Sequence, residues 1–288
     1  MKLTKQQQDE ITRCAVDFPY FCKEYVKVLV PYGSSNTGII PFELHPYQVR
    51  LYEHMEDNRF SIFSKFRQGG FTSEVAIYGL WKSLFRLDQS ILWISKTDRE
   101  AIEVSRIVKR AIEYMPDWMK GGVMKMSNDH EKSFTDTGSR MFFGAPQAAR
   151  SKAATLLVID EASFIKDMDQ HWKAIYPVIS TGGNCVVMST VNQDTDWFWL
   201  TLEDAILDNN QFEVYRCHYK DRPEFCDPKW EAGMRNQLGS SGWETEMMQQ
   251  PLVTVQAAAN KKKSPGLWRS IWDDWESSNG DTGSEGTV

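Results

Sequence analysis

Three short segments put chemistry-bearing residues directly after apolar runs. The first is Ser64-Lys65-Phe66-Arg67-Gln68-Gly69-Gly70-Phe71-Thr72-Ser73. Glycines let backbone N–H groups approach phosphate oxygens, a helix start adds partial positive charge, and a hydroxyl ligates Mg²⁺. Gly69, Gly70 and Thr72, ahead of a predicted helix, supply all three. The usual GxxxxGK pattern is broken because Phe71 holds the lysine position, so Lys65 and Arg67 at the front of the loop are the available cations. The second segment is Leu156-Leu157-Val158-Ile159-Asp160-Glu161-Ala162. Asp160 is suited to hold Mg²⁺ through water, and Glu161 to polarise an attacking water. The third, Met188-Ser189-Thr190-Val191-Asn192, offers small polar groups that can sense a terminal phosphate. Each segment alone also fits a plain strand-to-helix turn with solvated or capping side chains. Their order and shared setting carry the combined reading.

The elements that must position these groups follow from hydrophobic period. Runs without polar alternation, FSIFS (60–64), SILWIS (90–95), TLLVID (155–160) and NCVVMST (184–190), read as strands buried on both faces. Helical spacing covers 45–55, 72–86 and 98–115, the last with Asp98 as expected N-cap, and 171–179 up to Pro177. Residues 2–29 have helical spacing interrupted by Pro19, 31–41 read as a loop, and 132–145 as a hairpin. FEVYRCHY reads as a strand, followed by two short helices around Trp230 and Trp243. Strands separated by helices predict an α/β fold, a mostly parallel sheet with helices on both faces. Ligands in such sheets bind at the carboxyl ends of the strands, where the three segments lie.

The chain has 288 residues, 41% hydrophobic and 25% charged, which excludes a wholly disordered chain. No apolar run reaches eighteen residues and the first residues are polar, so neither a membrane span nor a signal peptide is expected. The five cysteines form no CxxC pair, which predicts neither a disulfide framework nor a zinc site; Cys185 is expected in the core. The 33 basic and 39 acidic residues give a net charge of −6. That argues against a protein that coats nucleic acid and leaves room for local or shared contacts.

In combination the motifs resemble the ATPase domain of the tailed-bacteriophage large terminase subunit, the motor of DNA packaging. The resemblance runs from about residue 15 to 250. Phe42-x-Leu44-x-x-Tyr47-Gln48 resembles the family's adenine-recognising segment. Lys65-x-Arg67-Gln68-x-Gly70-x-Thr72 resembles its variant Walker A, LLVIDEA its Walker B, and STVN its coupling motif. FFGAPQAARSKAATLLVIDEASF and RPEFCDPKWEAGMRNQLGSSGWETEMMQQ match the flanking segments. The resemblance implies a P-loop NTPase of the ASCE type that binds ATP and Mg²⁺. Tyr47 and Gln48 would recognise adenine. Lys65, Arg67, Gln68, Gly69, Gly70, Thr72 and Ser73 would hold the phosphates, and Thr72 and Asp160 the Mg²⁺. Glu161 would orient water, and Arg150 would act in trans on a neighbour's ATP. Ser189, Thr190 and Asn192 would couple hydrolysis to movement.

The implied organisation is an N-terminal segment (1–40), an ATPase core (41–210), a small closing or lid subdomain (211–251), and a linker with a Trp-rich stretch and tail (252–288). The family's usual nuclease domain has no counterpart in the thirty-seven residues from 252 on, so translocation without cutting is expected. Trp268, Trp272 and Trp275 share one helix face and suggest a docking element. Implied partners are double-stranded DNA, the portal protein, the small terminase subunit, a separately encoded nuclease polypeptide, and further copies in a ring. The setting implied is the host cytoplasm rather than the mature virion. Two alternatives stay open: a helicase-like DNA-dependent ATPase, and a non-hydrolysing interaction protein if Phe71 disables the site.

Overall fold

The structure, a computed structural model, describes residues 3–30, 38–120, 128–149 and 153–252. The chain opens with α1 (Lys5–Val16) and α2 (Phe18–Tyr25). Pro19 lies in the first turn of α2, where its missing N–H costs nothing, and Asp17 caps that helix. It starts the helix rather than interrupting one. β1 (Lys27–Val30) and β2 (Gly38–Pro41) pair antiparallel, so residues 38–41 are a strand and not loop. α3 (Pro46–Asp57) follows.

The main sheet is built from β3 (Phe60–Ser64), β4 (Ser90–Ile94), β5 (Glu131–Phe134), β6 (Ser139–Gly144), β7 (Leu156–Asp160), β8 (Asn184–Ser189) and β9 (Glu213–Val214). The strand order is β5-β6-β4-β7-β8-β3-β9. Every neighbouring pair is parallel except β5–β6, the expected hairpin. The remaining helices are α4 (Phe71–Phe85), α5 (Asp98–Tyr114), α6 (Met168–Ile175), α7 (Trp197–Ile206) and α8 (Pro228–Glu246).

The strands bury both faces, as the unbroken apolar runs require. On β4, Ile91 and Trp93 join the core under α4 and α5, while Leu92 and Ile94 join a second core with α6 and α7 residues. α4 is the central helix, with eleven of its fifteen residues buried. Cys185 is fully buried.

Three details depart from the sequence reading. Thr97, not Asp98, caps α5: its hydroxyl accepts from Glu100 N–H at 3.2 Å, while Glu100 accepts from Thr97 N–H at 3.0 Å. This reciprocal pair satisfies two end donors at once. α6 stops at Ile175, and 176–179 form a 3₁₀ turn that accommodates Pro177. Only Glu213–Val214 of FEVYRCHY pair with the sheet. The two expected helices around Trp230 and Trp243 are both present, as the two arms of α8 on either side of a break at Gly239, whose φ of 66° suits a residue without Cβ. No helix among the described residues is long and apolar enough to cross a membrane.

Candidate functional site

The carboxyl ends of β3, β7 and β8 meet at one open cleft of about 460 Å³. The loop from β3 to α4 forms one wall. Gln68 (φ 62°) and Gly70 (φ 76°) are left-handed, which turns the chain sharply into α4. A Cβ on Gly69 would stand 2.3 Å from the Phe71 ring and 2.8 Å from Phe66, so only glycine fits between them. The Gly69 N–H is committed inside the loop, donating to Phe66 O at 3.3 Å.

Phe71, in the position where the usual motif has lysine, borders the cleft but keeps its ring in the core. It is 2% exposed and packs against Tyr47, Phe63 and Phe66. The buried cation of the loop is Lys65. Its Nζ lies 2.6 Å from Asp160 Oδ1, 2.9 Å from Glu161 Oε1 and 3.2 Å from Thr72 Oγ1. Burial alone would lower the Lys65 pKa, but the Asp160 and Glu161 carboxylates outweigh it and hold the ammonium charged. Thr72 Oγ1 donates to Asp160 Oδ2 at 3.2 Å. A hydroxyl and a carboxylate side by side are hard oxygen donors, the set Mg²⁺ takes with phosphate oxygens and water. No cluster of three or more His, Cys, Asp or Glu side chains with metal-binding geometry occurs among the described residues. A metal held by Thr72 and Asp160 would complete its shell with phosphate and water oxygens.

Arg67 is parked in a second ion pair, 3.3 Å from Glu246 at the end of α8, and its backbone N–H donates to Glu246 O at 2.7 Å. Glu161 has a left-handed backbone (φ 53°) at the end of β7. Its Oε2 accepts from Ser189 Oγ at 3.4 Å. Thr190 lines the cleft, whereas Asn192 uses its backbone carbonyl to accept from Leu252 N–H at 2.9 Å.

Of the residues named from sequence, Lys65, Arg67, Gln68, Gly69, Gly70, Thr72, Ser73, Glu161 and Thr190 line the cleft. Asp160 and Ser189 sit just beneath it. Tyr47 and Gln48 are not brought to its wall. Tyr47 is fully buried, and its hydroxyl donates to Gly69 O at 2.7 Å. Gln48 is 2% exposed and closes the first turn of α3 by accepting from His45 N–H at 3.0 Å. Both support the loop from below. Arg150 and the Trp268–Trp275 stretch lie outside the described residues.

Sequence reasoning passed over Lys96, Glu100, Phe164 and Glu246, which also line the cleft. Lys96 carried a usable signal, because it stands directly after the apolar run of β4. Glu246 carried none; it arrives through the fold of a distant helix.

β8 lies between the strand leading into the glycine loop and the strand ending in Asp160-Glu161. A glycine loop, an inserted strand and a Glu at the end of the acid-bearing strand define the ASCE class of P-loop NTPase folds. Within that class the chain has the fold of phage large terminase ATPase domains. It is similar to the HK97 bacteriophage large terminase, with TM-score 0.66 and 17% identity over 90% of this chain and 58% of that one. The large terminase ATPase domain of Thermus phage P74-26 matches with TM-score 0.59 and 15% identity over 73% of this chain and 94% of that one. A large terminase from a thermophilic bacteriophage, solved in complex with ATP-gamma-S, matches with TM-score 0.57 and 11% identity over 71% of this chain and 52% of that one. The chain thus spans about 58% of the length of the HK97 protein. No family model matches the sequence.

Proposed function

We propose that the chain hydrolyses ATP and uses the cycle to translocate double-stranded DNA in phage packaging. The observation that carries this reading is the placement of the Lys65 ammonium beside the acid pair and Thr72, which supports it as the stand-in for the absent lysine. The ammonium reaches the cleft floor and contacts Asp160, Glu161 and Thr72 together. Phe71 is sequestered in the core, which weighs against a disabled site. Likeness to a terminase solved with ATP-gamma-S supports nucleotide as the ligand.

In this reading Lys65 and Arg67 leave their carboxylate partners and neutralise phosphate oxygens. The loop N–H groups and Ser73 complete the cradle at the start of α4. Thr72 and Asp160 would hold Mg²⁺, which supplies charge neutralisation to the phosphates when bound. Glu161 orients the attacking water. Thr190 and Ser189 sense the terminal phosphate, and Asn192 passes the change to the chain at Leu252. Tyr47 and Gln48 fix the loop from beneath, with adenine recognition by the exposed edge of the same segment. Arg150 serves as the arginine acting across a ring of copies. The portal protein, the small terminase subunit and a nuclease polypeptide are the partners this role calls for.

The test is ATPase activity of the purified chain with and without double-stranded DNA, and Glu161→Ala as control. Turnover that DNA stimulates and Glu161→Ala abolishes is expected. No nucleotide binding and no turnover under any of these conditions would sink the reading.

A further inference from the structure

Ser163 lies in a flanking segment but is assigned no role by the resemblance, and Asp196 lies outside every motif, yet the two connect Glu161 to the next turn of the chain. Ser163 is 7% exposed, in the 3₁₀ turn after β7. Its N–H donates to Ser189 Oγ at 3.1 Å. A hydroxyl has one hydrogen to give. With Ser189 Oγ already accepting from Ser163, that hydrogen is directed to Glu161 Oε2. The Ser163 hydroxyl in turn donates to Asp196 Oδ2 at 2.5 Å. Asp196 is the N-cap of α7: its Oδ1 accepts from Trp199 N–H at 2.9 Å and its Oδ2 from Gln193 N–H at 3.1 Å. Gln193 pairs with Leu252 in a parallel bridge, and Asp194 N–H donates to Leu252 O at 3.2 Å. One hydrogen-bonded path therefore runs from Glu161 through Ser189, Ser163 and Asp196 to the 193–199 turn and the chain beyond α8.

We propose that Ser163 and Asp196 are positioning residues, which fix the Glu161 carboxylate for water activation and report its movement to the N-terminus of α7. The inference rests on the ATPase reading above. When Glu161 takes a new partner in the nucleotide state, the Ser189 hydroxyl loses its acceptor. Ser163 then reorients and Asp196 loosens its hold on Gln193. Each link is a single hydrogen bond between partly or fully buried groups, where an unmet donor is costly and the arrangement is effectively two-state.

The experiment measures kcat and KM for ATP in wild type, Ser163→Ala, Ser163→Thr and Asp196→Asn. Amide hydrogen exchange at residues 193–199 is followed with and without Mg²⁺ and ATP-gamma-S. Ser163→Ala and Asp196→Asn are expected to lower kcat about tenfold or more with KM within about twofold. They should also erase the nucleotide-dependent exchange change, and Ser163→Thr, which keeps the hydroxyl, should restore both. Asp196→Asn retains a capping oxygen, so it separates the path from simple loss of the helix cap. The inference is overturned if Ser163→Ala turns over within about twofold of wild type, or keeps the wild-type exchange response. A wild type that neither binds nor hydrolyses nucleotide overturns the ATPase reading itself, a distinct result.

Discussion

Lys65 carries two duties that a single substitution separates. It neutralises two carboxylates in the cleft and, in the proposed function, is the cation that meets phosphate. Lys65→Ala is expected to lower turnover by about 10²-fold or more, the scale of losing one charge-stabilising group in an active site. It should also destabilise the fold by about 3 kcal/mol, because Asp160 stays buried without its partner. ATPase assays and denaturant unfolding measure the two effects, and a loss of stability with full turnover would refute the phosphate role. Glu246 gives the opposite sign. Its carboxylate holds Arg67 and lines the cleft where a triphosphate would sit. Glu246→Gln should therefore tighten nucleotide binding about two- to fivefold, a modest gain because the Arg67 end of the pair is more than half exposed. A fluorescent nucleotide titration checks it, and unchanged or weaker binding counts against the parked-cation account.

At the scale of elements, the glycine loop works because its shape is enforced by aromatic packing below it. Gly69→Ala is expected to push Phe71 or Phe66 out of place, costing about 1–3 kcal/mol and most nucleotide affinity. Thermal melts with and without ATP-gamma-S would show both, and an unaltered melt would mean the rings yield freely. Much of this scale was readable from sequence. The unbroken apolar runs of β3, β4, β7 and β8 could only be strands covered on both sides, and that placed the three turns on one sheet end. What was not readable depends on contacts between distant residues or on one-residue choices. Thr97 rather than Asp98 caps α5 because Glu100 completes the pair. That α3 buries Tyr47 and Gln48 beside the loop was likewise not legible, because it depends on how α3 packs against the loop. Glu246 and Asp196 enter only because α8 and α7 are delivered to the site by the fold.

For the whole molecule, acid should act through His218. It is 4% exposed, and its pKa falls to about 4, chiefly through burial, with Lys220 adding to the drop and Glu231 offsetting part of it. Its Nδ1 accepts from Lys220 N–H at 3.3 Å, a role that needs the neutral ring, and the ring lies against Tyr219. The unfolded chain binds this proton near pH 6.5 and the folded chain only near pH 4, so folding stability falls as pH drops through that window. Between pH 7 and 5 the loss from this one group is about 2 kcal/mol. Urea midpoints across that range test it, and His218→Asn, which can keep the cap, should flatten the slope. An equal slope in the variant would assign the effect to other groups.

The two ends of the seven-stranded sheet have a consequence for how copies can meet. β9 contributes two residues, and β5, at the other end, runs opposite to its neighbour and is four residues long. Short or reversed borders offer few free backbone groups in register, so growth of the sheet from one molecule into the next is poorly supported. Contacts in any assembly of this fold would then fall to side chains on turns and helices. Such contacts can form and part without breaking a strand ladder, so each copy in an assembly would keep its sheet intact.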